Sequence, residues 1–335
     1  MIDAIDANEV KGVNDVNDVN DVNDVDNLDG DAFPLGVRLP GRAMLRARVE
    51  AGLAPLLAAT PARVALSLRL RDGSIVLERA ASCAMPSASL VKVPILLAML
   101  EQVGQDRLRL AQEMSLAGIE RVGGTGILAQ LPSVRQLTLA ELARLMIVLS
   151  DNVATNALIA LLGFDAVNGW CERAGLAQTR LQRRMMDAAA RAAGRDNFTS
   201  AGDTAAALGW LLRGDTLPAP LRAFGLALLA DQRERAHFGA ALPAAARLAN
   251  KTGQLPGLRH DAGILTVGDQ SVVLAVLADG FTDPRTAREL QGGDGAALLA
   301  GVARAVALAL EAEPEGDPCD PGDTGNAGNA GQGGR

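Results

Sequence analysis

The sequence of 335 residues contains no Tyr, two His and three Cys. A tyrosinate base is therefore excluded. His237 and His260 are too few to build a His-type catalytic metal centre, and they leave a Ser-His-Asp triad only two candidate bases. Cys83, Cys171 and Cys319 show no paired spacing, which excludes a disulfide scaffold and a Cys-type zinc site. Aromatic residues make up 2%, and no basic cluster stands beside an aromatic run, so a nucleic-acid partner is not expected. No apolar run approaches the roughly 18 residues of a transmembrane helix. What remains, 49% hydrophobic and 21% charged, fits a soluble globular body with a sizeable core.

Charge is concentrated at the ends. Residues 1–32 hold ten acids and one Lys, and 13–24 read Val-Asn-Asp four times over. A period of three fits neither a helix nor a strand face, so 1–33 is expected to be a disordered acidic tail. It lacks the basic and apolar regions of a secretory signal. Residues 313–335, rich in Gly, Asn, Asp and Pro, are expected to form a second solvated tail.

The body, 34–312, reads as one α/β unit. Helical spacing covers 42–58, and alternation predicts strands at 63–70 and 75–79 around the Asp72-Gly73 turn. Helices are expected near 88–103, 136–149, 151–162, 166–174, 200–213 and 218–231. Strands follow at 246–252, 260–267 and 271–278, the last two joined by Gly268-Asp269. A final helix is expected over 286–311. Strands at both ends with helices between them predict an antiparallel sheet flanked by helices, with an all-helical lobe beside it.

Lysine is the scarcest charged residue. Only Lys11, Lys92 and Lys251 occur, against 29 Arg. Lys11 lies in the acidic tail, so the body keeps two. Lys can lose its proton when buried and Arg cannot. Lys92 closes Ser89-Leu90-Val91-Lys92, where a spacing of three brings hydroxyl and amine to one helix face. A neutral Lys92 could take the Ser89 proton, and the helix N-terminus favours the resulting anion. Pro94 sits within the first turns, where a kink is an open alternative. Lys251 opens Lys251-Thr252-Gly253 on a strand, and Gly253 allows close approach of a ligand to the backbone. Between them Ser150-Asp151-Asn152 marks a helix boundary, where Ser150 or Asp151 could equally be only an N-cap.

Taken in this order, the three motifs resemble those of the serine β-lactamase and penicillin-binding-protein superfamily, in its class A-like branch, over roughly residues 40–312. The resemblance extends through SDNVATNALIALLG (150–163) and NKTGQLPGLRHDAGIL (250–265). It implies an α+β, β-lactamase/transpeptidase-like fold with the site in the cleft between sheet and lobe. It also implies that Ser89 is acylated, that Lys92 accepts its proton, and that Ser150 relays a proton to the leaving nitrogen. Asn152 would hold the substrate amide, and Lys251 and Thr252 its carboxylate. The oxyanion hole would comprise the N–H groups of Ser89 and of Gln254, the residue after Gly253. The class C branch carries Tyr where Ser150 stands, which excludes it here. Class A members carry a loop Glu for deacylation. The matching stretch, 181–189, has none. Its nearest carboxylate, Asp187, is the candidate substitute, or else an ion-pair partner of Arg183, Arg184 or Arg191. The expected partner is a small β-lactam or acyl-D-Ala-like molecule, with no metal or cofactor, acting on a monomer. A D-alanyl peptidase or esterase, or a slowly deacylating β-lactam sensor, is the alternative. The superfamily suggests the periplasm, whereas the N-terminus offers no export signal.

Other residues carry less. His260 and Asp261, adjacent on a strand, point to opposite faces and do not readily form a triad. His260 is expected to be structural, His237 solvated, and Glu172 and Glu234 to lie on outer helix faces. Gly123-Gly124-Thr125-Gly126 lacks a phosphate loop's Lys and reads as a loop beside the site. Cys171 and Trp170 read as core, and Cys83 has no evident base.

Overall fold

A computed structural model describes residues 41–281 and 294–311. Both expected tails, Lys11, Cys319 and the 286–293 start of the expected final helix lie outside the described residues.

The chain begins with α1 (Arg42–Ala59), followed by the hairpin β1 (Arg63–Leu70) and β2 (Ile75–Arg79). Gly73 turns between the two strands at φ 88°. A short β3 (Met85–Pro86) leads through a 3₁₀ turn, Ala88–Val91, into α2 (Lys92–Gly104). Next come β4 (Glu113–Ser115), β5 (Gln136–Thr138), α3 (Leu139–Val148), α4 (Asn152–Leu162) and α5 (Phe164–Arg173). Then α6 (Ala188–Ala192), β6 (Phe198–Thr199), α7 (Ala201–Gly209) and α8 (Ala219–Ala230) complete the lobe. The chain returns through β7 (Ala246–Leu255), β8 (Leu258–Val267) and β9 (Gln270–Asp279), and the described part of the last helix is α9 (Asp294–Glu311).

The five long strands form one antiparallel sheet in the order β2-β1-β9-β8-β7. The terminal strands close it, because β1 pairs with β9 from Arg63↔Asp279 to Leu70↔Val272. The period-2 alternation of β9 explains the layering. Val272, Leu274, Val276 and Ala278 join the core beneath α1 and α9. Val273, Ala275 and Leu277 join the core shared with α2, α3, α4 and α7. Both faces are covered, so β8 and β9 are buried along almost their whole length, and β9 reads as a near-continuous apolar run. Trp170 and Cys171 are buried as expected. The fold is the α+β arrangement the sequence predicts.

Several boundaries differ. The helix expected at 88–103 is two pieces, 3₁₀ then α. Pro94 therefore falls in the first turn of α2, where backbone N–H groups lack intrahelical partners in any case, and a proline there is tolerated. Residues 136–138 pair with 113–115 instead of starting a helix. Thr138 then caps α3 in a reciprocal box with Glu141. Edge strand β7 runs on to Leu255, past Lys251-Thr252-Gly253.

Between α5 and α7, a loop of residues 180–198 is closed at the neck by the Arg180–Phe198 bridge and by Arg183 on Asp196. The neck is tied to the segment preceding Ser89, since Ser87 N–H donates to Asn197 O at 2.8 Å.

Candidate active site

Ser89, Lys92, Ser150 and Lys251 converge. Lys92, fully buried at the start of α2, has its Nζ 3.1 Å from Ser89 Oγ, 2.9 Å from Ser150 Oγ, 2.6 Å from Ser150 O and 3.0 Å from Asn152 Oδ1. Lys251, also fully buried, donates to Ser150 Oγ and to Thr252 O, both at 3.1 Å. Ser150 Oγ lies 3.0 Å from Ser89 Oγ. Hydroxyls and amines from three distant segments thus share one cleft. The register supplies the rest. A 3₁₀ turn has three residues per turn, so Ser89 stacks directly over Lys92.

Hydrogen-bond arithmetic leaves room for a neutral amine. Ser150 O and Asn152 Oδ1 can only accept. A neutral Lys92 amine has two N–H bonds for these two and a lone pair left for a hydroxyl, whereas an ammonium has no acceptor to offer. Burial pushes the Lys92 pKa well below the ordinary lysine value, and Lys251 repels its charge further, with Asp151 opposing. Burial also lowers Lys251, to about 8, with Asp261 and Glu234 opposing. Burial thus favours the neutral form of both amines, and repulsion between them opposes their being charged together.

Strand β7 brings the second wall. A Cβ on Gly253 would meet Ser87 O at 3.2 Å and Ala88 Cβ at 3.3 Å, so only glycine fits without displacement. Thr252 is buried here, and Gln254 follows on the sheet edge, where alternate N–H groups have no strand partner.

A profile of the Beta-lactamase enzyme family matches residues 48–308. The chain belongs to this β-lactamase family. A β-lactamase of Streptomyces fradiae is 32% identical over 270 residues, which span 78% of this chain and 87% of that one. Among solved structures, a β-lactamase from Sphaerobacter thermophilus is 27% identical with a TM-score of 0.66, over 79% of this chain and 96% of that one. A point mutant of PBP-A, solved as an acyl-enzyme complex with penicillin G, is 26% identical with a TM-score of 0.67, over 80% and 96%. The protein is a serine β-lactamase-like hydrolase.

In this family member the Ser150-Asp151-Asn152 turn is held by a residue the sequence did not single out beyond a cap. Asp151 is buried and does cap α4, accepting from Val153 and Ala154 N–H. Its other oxygen accepts from Ile127 and Leu128 N–H at 2.6 and 2.8 Å. It therefore clamps the Gly123–Gly126 loop, which lies beside the site as expected. Asn152 Nδ2 donates to Gly123 O at 3.0 Å, and Thr125 Oγ1 to Ser150 O at 2.7 Å. Gly126 sits at φ 103°, and a Cβ there would overlap Asp151. Ala88 (φ 46°) and Ser150 (φ 55°) hold left-handed backbone at a cost of about 1–2 kcal/mol each. This strain lies directly at Ser150 and at the residue before Ser89.

Three expectations are corrected. Asp187 forms no ion pair with Arg183, Arg184 or Arg191 among the described residues. Arg183 and Arg191 pair with Asp196 instead, and Asp187 Oδ1 caps α6 through Ala190 N–H. Nor does it hydrogen-bond to Ser89, Lys92, Ser150 or Lys251. His237 is buried, not solvated. Its neighbour Phe238 is drawn into the core and donates its N–H to Asp261. The ring Nε2 lies 3.0 Å from Gln254 Nε2, and burial lowers its pKa to about 4. Glu234 lies past the end of α8 instead of on a helix face; Glu172 is on exposed helix surface as read. His260 is structural: Nε2 meets Pro86 O at 3.0 Å, and Nδ1 accepts from Ala278 N–H.

Proposed function

We propose that the protein opens β-lactam rings through an acyl-enzyme at Ser89. Neutral Lys92 takes the Ser89 proton as Oγ attacks the lactam carbonyl carbon. The oxyanion forms beside the N–H groups of Ser89 and Gln254. Ser150 delivers a proton to the departing ring nitrogen and is reprotonated through the lysines. The second Asn152 N–H, beyond the one on Gly123 O, is free for the substrate's side-chain amide. Lys251 and Thr252 hold its carboxylate. The observation that carries this reading is the 3.1 Å approach of an amine with a depressed pKa to Ser89 Oγ.

The fate of the acyl-enzyme is less well served. Loop 181–189 contains no Glu, and one oxygen of Asp187 is occupied by the α6 cap. This favours a long-lived adduct, as in a β-lactam-binding sensor, over rapid hydrolysis. Intact-protein mass measured over time after one equivalent of a β-lactam tests both parts. A mass gain equal to the drug is expected, and no gain sinks the acylation. An ester or acyl-D-Ala peptide turned over in the absence of β-lactam reactivity would select the alternative substrates. Asp187→Asn is expected to slow adduct decay about tenfold or more and to leave adduct formation within twofold. Equal slowing of both steps removes Asp187 from deacylation.

The lowered Lys251 pKa predicts a pH profile. Acylation needs Lys92 without its proton and Lys251 with it. Lys251 loses its charge as pH rises through about 8, so acylation by a carboxylate-bearing β-lactam falls above that pH. An uncharged ester substrate should lack this alkaline limb. An alkaline limb of equal size with both substrates would remove Lys251 from carboxylate binding.

A further inference from the structure

Gln254 follows Gly253 near the end of β7, which is an edge strand. Leu255 pairs with Leu258 across the tight Pro256-Gly257 turn, where Gly257 holds φ 72°. The Gln254 N–H thus belongs to the last residues of an edge strand, where strand pairing holds the backbone on one side alone.

The Gln254 side chain supplies a hold of another kind. Its Nε2 lies 3.0 Å from His237 Nε2. An amide nitrogen can only donate, so the ring accepts there and carries its proton on Nδ1. Nδ1 has no hydrogen-bond partner among the described residues, so the contact with Gln254 is what the ring's polar edge serves. An imidazolium, with two donors, could not accept it. Burial keeps the ring neutral above about pH 4, with Glu234 opposing and Arg259 and Lys251 adding to the effect.

His237 is itself anchored. Phe238, the next residue, packs in the core beneath α1 and α9. Its N–H donates to Asp261 Oδ2 at 3.0 Å. Asp261 stands on β8 opposite Thr252 of β7. The anchor therefore closes back on the hairpin that carries Gln254.

We infer that His237 is a positioning residue for acylation: it pins the Gln254 side chain and so aims the Gln254 N–H at the oxyanion. The inference rests on acylation at Ser89 and adds a residue that acts without touching substrate. A donor fixed in advance stabilises the developing charge without reorganisation at the moment of reaction.

The test follows adduct mass over time at several β-lactam concentrations, which yields a limiting acylation rate and a half-saturating concentration. His237→Leu is expected to lower the limiting rate about tenfold, less than the roughly 10²–10³-fold cost of losing an oxyanion donor outright, and to leave the half-saturating concentration within about twofold. His237→Gln puts an amide where Nε2 stood and should recover most of that loss. Gln254→Met, at a half-buried position, cuts the contact from the other end without disturbing the interior and should slow acylation to a similar extent. In Gln254→Met protein, His237→Leu should then cost nothing further, because one contact cannot be lost twice. With a β-lactam isotope-labelled at the lactam carbonyl, the infrared stretch of the ester should lie at higher frequency in the Gln254→Met and His237→Leu adducts than in the native one, as it does for a carbonyl with weaker hydrogen bonds. Slower acylation with an unmoved stretch, additive losses in the double variant, or a native rate in Gln254→Met protein each overturn the inference and leave acylation at Ser89 standing. Native protein that forms no adduct overturns both.

Discussion

Ser89→Ala protein is expected to gain no mass from any β-lactam and to lose turnover by a factor of about 10³ or more, the usual scale for removal of a nucleophile. Few other outcomes fit the geometry. Ser89 is half-buried at the mouth of the cleft, and among the described residues its Oγ hydrogen-bonds only with Lys92 Nζ and Ser150 Oγ. Its loss leaves Ser150 O and Asn152 Oδ1 to hold the Lys92 amine. Stability should therefore change by less than about 1 kcal/mol, and a melt in parallel separates lost chemistry from lost fold. The variant should still bind substrate, because Lys251, Thr252 and Asn152 are untouched. Ser150 is the one competitor, with its own hydroxyl 2.9 Å from the same amine. An adduct formed by the Ser89→Ala protein at a rate near native, mapped to Ser150, would reverse the two roles.

The convergence of this cluster was legible because of composition. In a chain that uses Arg almost throughout, two retained body lysines mark sites where a removable proton or a compact charge is needed, and both are fully buried in one cleft. The sheet was legible from alternation and from the strands at both ends of the chain. Other features depend on contacts that leave no periodic trace. Asp151 reads locally as a cap, and only the fold shows that its second oxygen holds a loop 23 residues away. His237 follows charged residues and looks exposed, but its burial is set by Phe238 and by Asp261 on another strand. Asp187 stands among three arginines. Which carboxylate they choose is decided by the loop neck, where Asp196 sits closer to Arg183 and Arg191. The left-handed residues Ala88 and Ser150 carry side chains that give no hint of such backbone. Strain of this kind persists where surrounding structure enforces it, and here the Asp151 clamp and the Ser87–Asn197 tie do so.

Lys92 offers the sharpest separation of charge from proton transfer. Lys92→Arg and Lys92→Met are both expected to lower the acylation rate by about 10²–10⁴, the range for loss of a general base. Arg keeps a positive charge and more donors than Lys, yet it cannot surrender a proton at any working pH. If Lys92 served only as a fixed cation, Arg would retain much of the rate and Met would not. Stability should divide the variants the other way. Arg forces a permanent charge into a fully buried site beside Lys251, at a cost of several kcal/mol. Met has a similar length and no charge, like the neutral amine it replaces. The Lys251 pKa, lowered to about 8 by burial, should therefore stay where it is in the Met variant, and with it the pH at which binding of a carboxylate-bearing β-lactam is lost. A Lys92→Met protein that acylates within tenfold of native would move the proton acceptor to another group. Ser150 backed by Lys251 is then the only chain of hydrogen bonds among the described residues that still reaches Ser89.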